Sequence, residues 1–242
     1  MADPVMTEKR KENMVRTIVT GKRAVFFDLF HTLTAPESEW LKTPVTSDVL
    51  GIPRKAWDDQ LQNKSRFRLV GEIRDPYEIL AMMARAVKPD IPDNLIKKAV
   101  ENRIRRFKSA LLHIPGVNIH TLDALKKSGK KIGLISNAEP SEIIAWSKSP
   151  AAKFFDDAVF SCDVGWMKPE SEIYCLAMER LGVMPDESIF VADGACRELE
   201  GAKNVGMTTV MVTGVMKELW HDEIGIRGHH ADYIIEALDE LI

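Results

Sequence analysis

AVFFDLFHTLT, residues 24–34, opens with an apolar run that stops at a carboxylate, Asp28, and passes into a short polar segment. A short continuous apolar run of this kind, rich in β-branched and aromatic residues, reads as a strand buried on both faces. Other segments read the same way: KIGLI before Ser136, SIFVA before Asp193, TTVMV before Thr213, and DYII near the C-terminus. Between them stand segments of helical period, HTLDALKKSG, SEIIAWSKS and PESEIYCLAMERLG, the last opened by Pro169 and stopped by Gly182. Strand alternating with helix predicts an α/β fold, a Rossmann-like doubly wound parallel sheet with helices on both faces. Such sheets bind ligands beyond the carboxyl ends of their strands. Asp28, Ser136 and Asp193 all stand there.

Residues 37–110 break the alternation, with helical periodicity and no convincing strand. They read as a small all-helical domain inserted into the core. In its clearest helix Ile96, Val100, Ile104, Phe107 and Leu111 recur at spacings of three and four, behind Asp93 as N-cap. The run RIRRFK from Arg103 is then the solvated face of that helix rather than a nucleic-acid patch. The expected organisation is a tail over 1–21, a core over 22–36 and 111–242, and the helical insert over 37–110. The first 15 or so residues, charged and aperiodic, are expected to be disordered.

A chain of 242 residues can bury a substantial core, and its net charge of −3 supplies no electrostatic reason for nucleic acid or an anionic membrane as partner. A small-molecule substrate is compatible with that balance. Cys162, Cys175 and Cys196 are odd in number and lack CxxC spacing, which argues against a disulfide framework or a structural zinc site. No stretch approaches the roughly 20 apolar residues of a membrane span, and the first residues carry no apolar run of signal-peptide length. The expectation is a cytoplasmic protein that is not embedded in a membrane.

The strand ends hold the residues able to do chemistry. Asp28 taken alone is as compatible with a turn cap as with a functional carboxylate. In LISNA, residues 134–138, Ser136 and Asn137 end a second strand, and the loop N–H groups behind them can hold an anion. Lys168 stands just before Pro169 in GWMKPE, a position that elsewhere is usually a solvated surface charge. In VADGACRELEGA, Asp193 ends a further strand and Glu198 follows five residues on. Two acids near a strand end suit a hard cation such as Mg2+, which prefers oxygen ligands.

Taken in order, these segments resemble the four motifs of the haloacid dehalogenase superfamily. An Asp ends the first strand, a Ser the second, a Lys precedes a Pro-started helix, and an acidic pair follows a later strand. The resemblance runs from about residue 23 to the C-terminus and places the helical insert where the family carries its type 1 cap. It implies that Asp28 is a nucleophile forming a covalent aspartyl intermediate that water hydrolyses, with Thr32 as the motif threonine beside it. In phosphate-handling members it further implies Mg2+ held by Asp28, the backbone carbonyl of Phe30, Asp193 and Glu198. Ser136, Asn137 and Lys168 would bind the phosphoryl oxygens of a small phosphorylated substrate.

The pattern departs from the family's phosphatases at one position. They normally carry a second Asp two residues after the nucleophile, as the general acid and base; here Phe30 stands there and cannot transfer a proton. The next position, usually Gly, is His31, whose imidazole is able to titrate near neutrality. An aromatic residue at Phe30, with Tyr174 six residues after Lys168, resembles the 2-haloacid dehalogenases, whereas Asp193 stands where they have Ser. The phosphonate-cleaving branch also lacks the second Asp, but nothing singles out a cap lysine among Lys55, Lys64, Lys97 and Lys98. The expected function is therefore Mg2+-dependent hydrolysis of a small phosphorylated metabolite. The alternatives are C–halogen hydrolysis, and a binding or regulatory role without efficient turnover. Arg66, Arg68, Arg74 and Trp40 are the candidates to reach substrate from the insert, solvation being the simpler expectation for each Arg.

Overall fold

The apolar runs pair side by side in one parallel sheet. The computed structural model describes residues 8–64 and 66–242. The sheet has six strands in the order β3-β2-β1-β4-β5-β6, where β1 is Ala24–Phe27, β2 Lys131–Ser136, β3 Asp157–Phe160, β4 Ser188–Ala192, β5 Thr208–Val212 and β6 Tyr233–Ile235. Every pairing is parallel, with Phe27 opposite Leu134 on one side and Val191 on the other. That register carries Asp28, Ser136 and Asp193 out of the same end of three adjacent strands. β3 falls outside the expected strands, because its apolar run is too short to stand out from the loop before it.

Alternate residues of each strand face opposite layers. Val25, Phe27, Ile132, Leu134, Ile189 and Val191 meet Leu122 and Leu125 of α7 (Gly116–Lys127) and Val15 and Val19 of α1 (Glu8–Gly21). Phe26, Ile135, Phe190 and Ala192 meet Ile173 and Ala177 of α10 (Ser171–Leu181) and Leu199 and Ala202 of α11 (Glu198–Asn204). Gly133 is where the sheet needs a missing side chain, since a Cβ there would come within 2.4 Å of the Phe26 ring. Pro169 follows a cis peptide bond, and α10 starts two residues later, at Ser171, ending at Gly182 in the left-handed conformation.

The N-terminal segment departs from expectation. Residues 1–7 of the expected tail lie outside the described residues, but Glu8–Gly21 is a helix, and Val15 and Val19 are each 3% exposed. The two valines lie four apart, on one face, and that spacing was the available signal. The C-terminal 3-10 turn Leu238–Leu241 packs against both α1 and α7, with Leu238 and Leu241 buried in the same layer.

Between β1 and β2 stand α2 (Thr46–Leu50), α3 (Arg54–Asn63), α4 (Arg66–Leu69), α5 (Pro76–Val87) and α6 (Asp93–Leu112). They hold an apolar cluster of their own, in which Leu50, Trp57, Ile79, Leu80, Met83 and Ile96 are almost fully buried. Asp75 caps α5, its side chain accepting the Glu78 N–H at 2.9 Å. On α6 the N-cap is Pro92 rather than Asp93, and the buried face runs through Ile96, Ala99, Arg103, Ala110 and Leu111. Val100, Ile104 and Phe107 are only half-buried, so the helix is rolled about its axis relative to the expected stripe. Among the described residues no helix is long and apolar enough to cross a membrane.

Candidate active site

Asp28 leaves β1 with its N–H donating to Val191 O at 3.0 Å, which ties it to the end of β4. Its side chain is buried, and one oxygen, Oδ2, accepts from Thr32 Oγ1 at 3.2 Å. The Thr32 hydroxyl also accepts the Asp193 N–H at 3.1 Å, so one side chain fixes both acidic strand ends. Lys168 reaches in from the loop before α10. Its ammonium lies 2.5 Å from Asp28 Oδ1 and 2.5 Å from Glu198 Oε2, and the side chain is 2% exposed. It is a buried charge, not a surface one. Asn137 anchors that loop, donating from Nδ2 to Lys168 O at 2.9 Å while Oδ1 accepts the Lys168 N–H at 2.8 Å.

The acids form one cluster. Asp28, Asp193 and Glu198 each offer a carboxylate oxygen within 4.8 Å of the others, and all three are buried. Glu198 begins α11 and its Oε1 accepts the Gly194 N–H at 3.0 Å; Tyr174 Oη donates to the Glu198 carbonyl at 2.7 Å. Asp193 accepts the Ala195 N–H at 3.0 Å and pairs with Arg227 at 2.8 Å. Burial, with the neighbouring charges of Asp28 and Asp193, raises the Glu198 carboxyl above its usual range against the pull of Lys168. Burial also works against the Lys168 ammonium, but Asp28 and Glu198 outweigh it and hold the group above the usual lysine range. Formally, three carboxylates against Lys168 and Arg227 leave a negative excess in a buried site. An all-oxygen set of that charge fits a hard divalent cation. Ser136 Oγ is fully buried and has no hydrogen-bond partner among the described residues, an orphan that an incoming oxygen would satisfy.

Above this cluster a cleft of about 1180 Å³ opens between the core and the insert. Its walls include Phe30, His31, Trp40, Phe107, Asn137 and Trp220. Phe30 meets Phe107 edge-on with ring centroids 5.0 Å apart and stands 6.1 Å from Trp40. His31 takes φ of 64°, a left-handed conformation, stacks on Trp40 at 5.9 Å and meets Trp220 at 4.9 Å. Its Nε2 is buried and lies 3.8 Å from Glu37 Oε1, too long for a hydrogen bond.

The insert arginines correct two expectations. Arg103 is not on a solvated face: it is buried and pairs with Glu139 at 2.9 Å and closely with Glu142. Arg68 is buried too, 3.1 Å from Glu139 and 3.4 Å from Glu142. Glu139 and Glu142 flank the start of α8 (Pro140–Ile143), directly after the Ser136–Asn137 segment. Arg66 pairs with Glu170 at 2.6 Å and Arg74 with Asp163 at 2.6 Å, so these side chains grip the core rather than reach into the site. Trp40 is mostly covered and donates from Nε1 to Ala35 O at 2.8 Å. Arg227 and the Glu139–Glu142 pair were missed. Arg103 on the buried stripe of α6, and two acids three apart after a strand end, were the legible signals; Arg227 had none.

Residues 22–206 match the family profile described as haloacid dehalogenase-like hydrolase. Glyceraldehyde 3-phosphate phosphatase of Methanocaldococcus jannaschii is 33% identical over 139 residues, which cover 56% of this chain and 58% of that protein. Phosphorylated carbohydrates phosphatase of Thermotoga maritima is 30% identical over 132 residues, 54% of this chain and 60% of that one. The matches thus span less than two thirds of these relatives. Among solved structures, L-2-haloacid dehalogenase from Xanthobacter autotrophicus aligns with a TM-score of 0.61 at 20% identity, covering 91% of this chain and 96% of that chain. A HAD phosphatase from Thermococcus onnurineus aligns with a TM-score of 0.57 at 24% identity over 90% and 95% of the two chains. At those identities the likeness is one of fold.

Proposed function

Because the chain belongs to the haloacid dehalogenase-like hydrolases, we propose that it hydrolyses small phosphorylated metabolites through an aspartyl-phosphate on Asp28, with Mg2+ as cofactor. The observation that carries this reading is the buried cluster in which Lys168 bridges Asp28 and Glu198 at 2.5 Å while Asp193 stands beside them. Phosphatase names among the relatives point the same way. Asp28, Asp193 and Glu198 would hold the ion, with the Phe30 carbonyl as a further ligand. A divalent ion bound there supplies charge that offsets the repulsion between an anionic nucleophile and an anionic phosphate.

The chain's own residues then have separate roles. Thr32 orients the Asp28 carboxylate toward phosphorus. Lys168 pairs with Asp28 and meets phosphoryl oxygens as a compact point charge. Ser136 donates its unpartnered hydroxyl, and Asn137 holds the Lys168 loop in place. Residues 37–110 act as a cap that closes the cleft, excludes water and selects the leaving group. The site faces no nucleic acid or membrane in this reading, and the protein works in the cytoplasm.

Phe30 favours a second reading, C–halogen hydrolysis, which needs no proton on the leaving group; the Asp193–Glu198 acid cluster weighs against it. The deciding experiment measures phosphate release from a panel of phosphomonoesters, with Mg2+ or with chelator, beside halide release from 2-chloropropionate. Metal-dependent phosphate release that Asp28→Asn abolishes is the expected result. Metal-independent halide release would replace the phosphoester reading.

A further inference from the structure

The groups able to donate a proton around Asp28 lie on the floor of the site, and most are engaged there. Thr32 donates to Asp28, and Lys168 spans Asp28 and Glu198. Glu198 accepts from Lys168 and from the Gly194 N–H, and Asp193 accepts from the Ala195 N–H and Arg227. The cleft side is different. Phe30 and Phe107 present hydrocarbon, with Trp40 and Trp220 beside them. Of the imidazoles that line the cleft, His31 follows Phe30 directly and is clasped between Trp40 and Trp220 with its buried Nε2 toward Glu37, while His229 and His230 belong to the C-terminal segment. A group leaving from phosphorus past Phe30 therefore meets aromatic faces, and the carboxylates that line the cleft, Glu37, Asp58, Glu142, Glu200 and Glu223, are each held by an arginine.

Resting on the phosphoester reading of Asp28, we infer that the site is built for phosphate carried on a weakly basic oxygen, an aryl ester rather than an alkyl one. Asp28 attacks phosphorus and forms the P–O bond of the acyl phosphate. The bond from phosphorus to the leaving oxygen breaks, and its electron pair departs on that oxygen as an aryl oxide, stable without a proton. An alkoxide would leave as a strong base, and an absent general acid costs such a substrate about 100-fold to 10,000-fold. Water then attacks phosphorus, the acyl-phosphate P–O bond returns its pair to Asp28, and the water protons pass to phosphate and solvent. The same rings that withhold a proton offer flat faces on which an aromatic leaving group stacks.

The test is a leaving-group series on the native enzyme with Mg2+: 4-nitrophenyl phosphate, phenyl phosphate and β-glycerol phosphate, compared by kcat/KM. The expected result is a steep fall along that order, with the alkyl ester slower than the nitrophenyl ester by about 100-fold or more. Phe30→Asp should raise kcat/KM for the alkyl ester relative to that for the nitrophenyl ester, flattening the series; if that variant does not fold, the native series decides alone. Equal turnover of alkyl and nitrophenyl esters by the native enzyme would overturn the inference. So would loss of alkyl turnover in His31→Gln, which would identify His31 as the donor. No phosphate from any ester would instead sink the phosphoester reading beneath it, a result distinct from a flat series.

Discussion

His31 holds φ at 64° although it bears a side chain. The left-handed region costs a residue with a Cβ about 1–2 kcal/mol, and glycine almost nothing. Against that cost stand the stack on Trp40 and the edge contact with Trp220, each worth about 0.5–1.5 kcal/mol. Substitution separates the two effects. His31→Ala loses the ring contacts and keeps the strained backbone, so it should destabilise by about 1–2 kcal/mol. His31→Gly loses the same contacts but relieves the backbone and should lie above His31→Ala by about 1 kcal/mol. Urea unfolding of the pair checks this; equal midpoints would mean that the backbone carries no strain. Asp28, Ser136 and Asp193 were legible because each stands at a strand end, where an apolar run meets an isolated polar group. Arg227 was not, because its partner Asp193 is 34 positions away in sequence and only the packing of the C-terminal segment joins them.

Between elements, the joint of α4 and α6 with α8 is made of charge. Arg68 and Arg103 come from the insert, Glu139 and Glu142 from the core, and all four side chains are buried. Removing one partner of a buried cluster leaves an uncompensated charge, which typically costs 3–5 kcal/mol. Arg103→Met should therefore destabilise by about 3 kcal/mol or more, and adding Glu142→Leu should recover most of the loss. A double variant no more stable than the single would show that the charges do not act as a unit. Their titration gives a separate check. Burial would raise the Glu139 carboxyl, but Arg103 and Arg68 outweigh it and bring it down to about 2. A carboxyl depressed in the fold stabilises above its ordinary range, near 4.3, and that stabilisation fades as pH falls toward about 2. Glu142 opposes this, since burial and the Glu139 charge raise it. Glu139→Gln should accordingly lose part of the native protein's decline in stability between about pH 4 and pH 2, read from urea midpoints across that window. Helical periodicity revealed that α6 exists. It did not reveal how α6 is rolled, because Arg103 occupies the buried stripe and its ion partners belong to a different layer.

For the molecule as a whole, alternation of strand and helix was enough to foresee the parallel sheet and the end of it that carries the acids. The cavity, the ion pairs across it and strand β3 depended on contacts between distant segments, to which a local pattern is blind. Ligand linkage tests the site globally. If Mg2+ occupies the acid cluster, saturating Mg2+ at about 100 times its dissociation constant should stabilise the fold by about 2.7 kcal/mol, and Asp193→Asn should remove the effect. An unchanged melting temperature at millimolar Mg2+ would count against metal binding.

The contact of α1 with the Leu238–Leu241 turn ties the first described helix to the last described turn. Both lie under the same face of the sheet, Val15 and Val19 against Leu238 and Leu241. Their opening is thus a shared event rather than two independent frayings. Deuterium uptake at the amides of 238–241 should report the loss of a helix more than 200 positions away: a chain begun at residue 22 should exchange there faster than the full chain, while β1 and β4 keep their protection. The two ends behave as one latch.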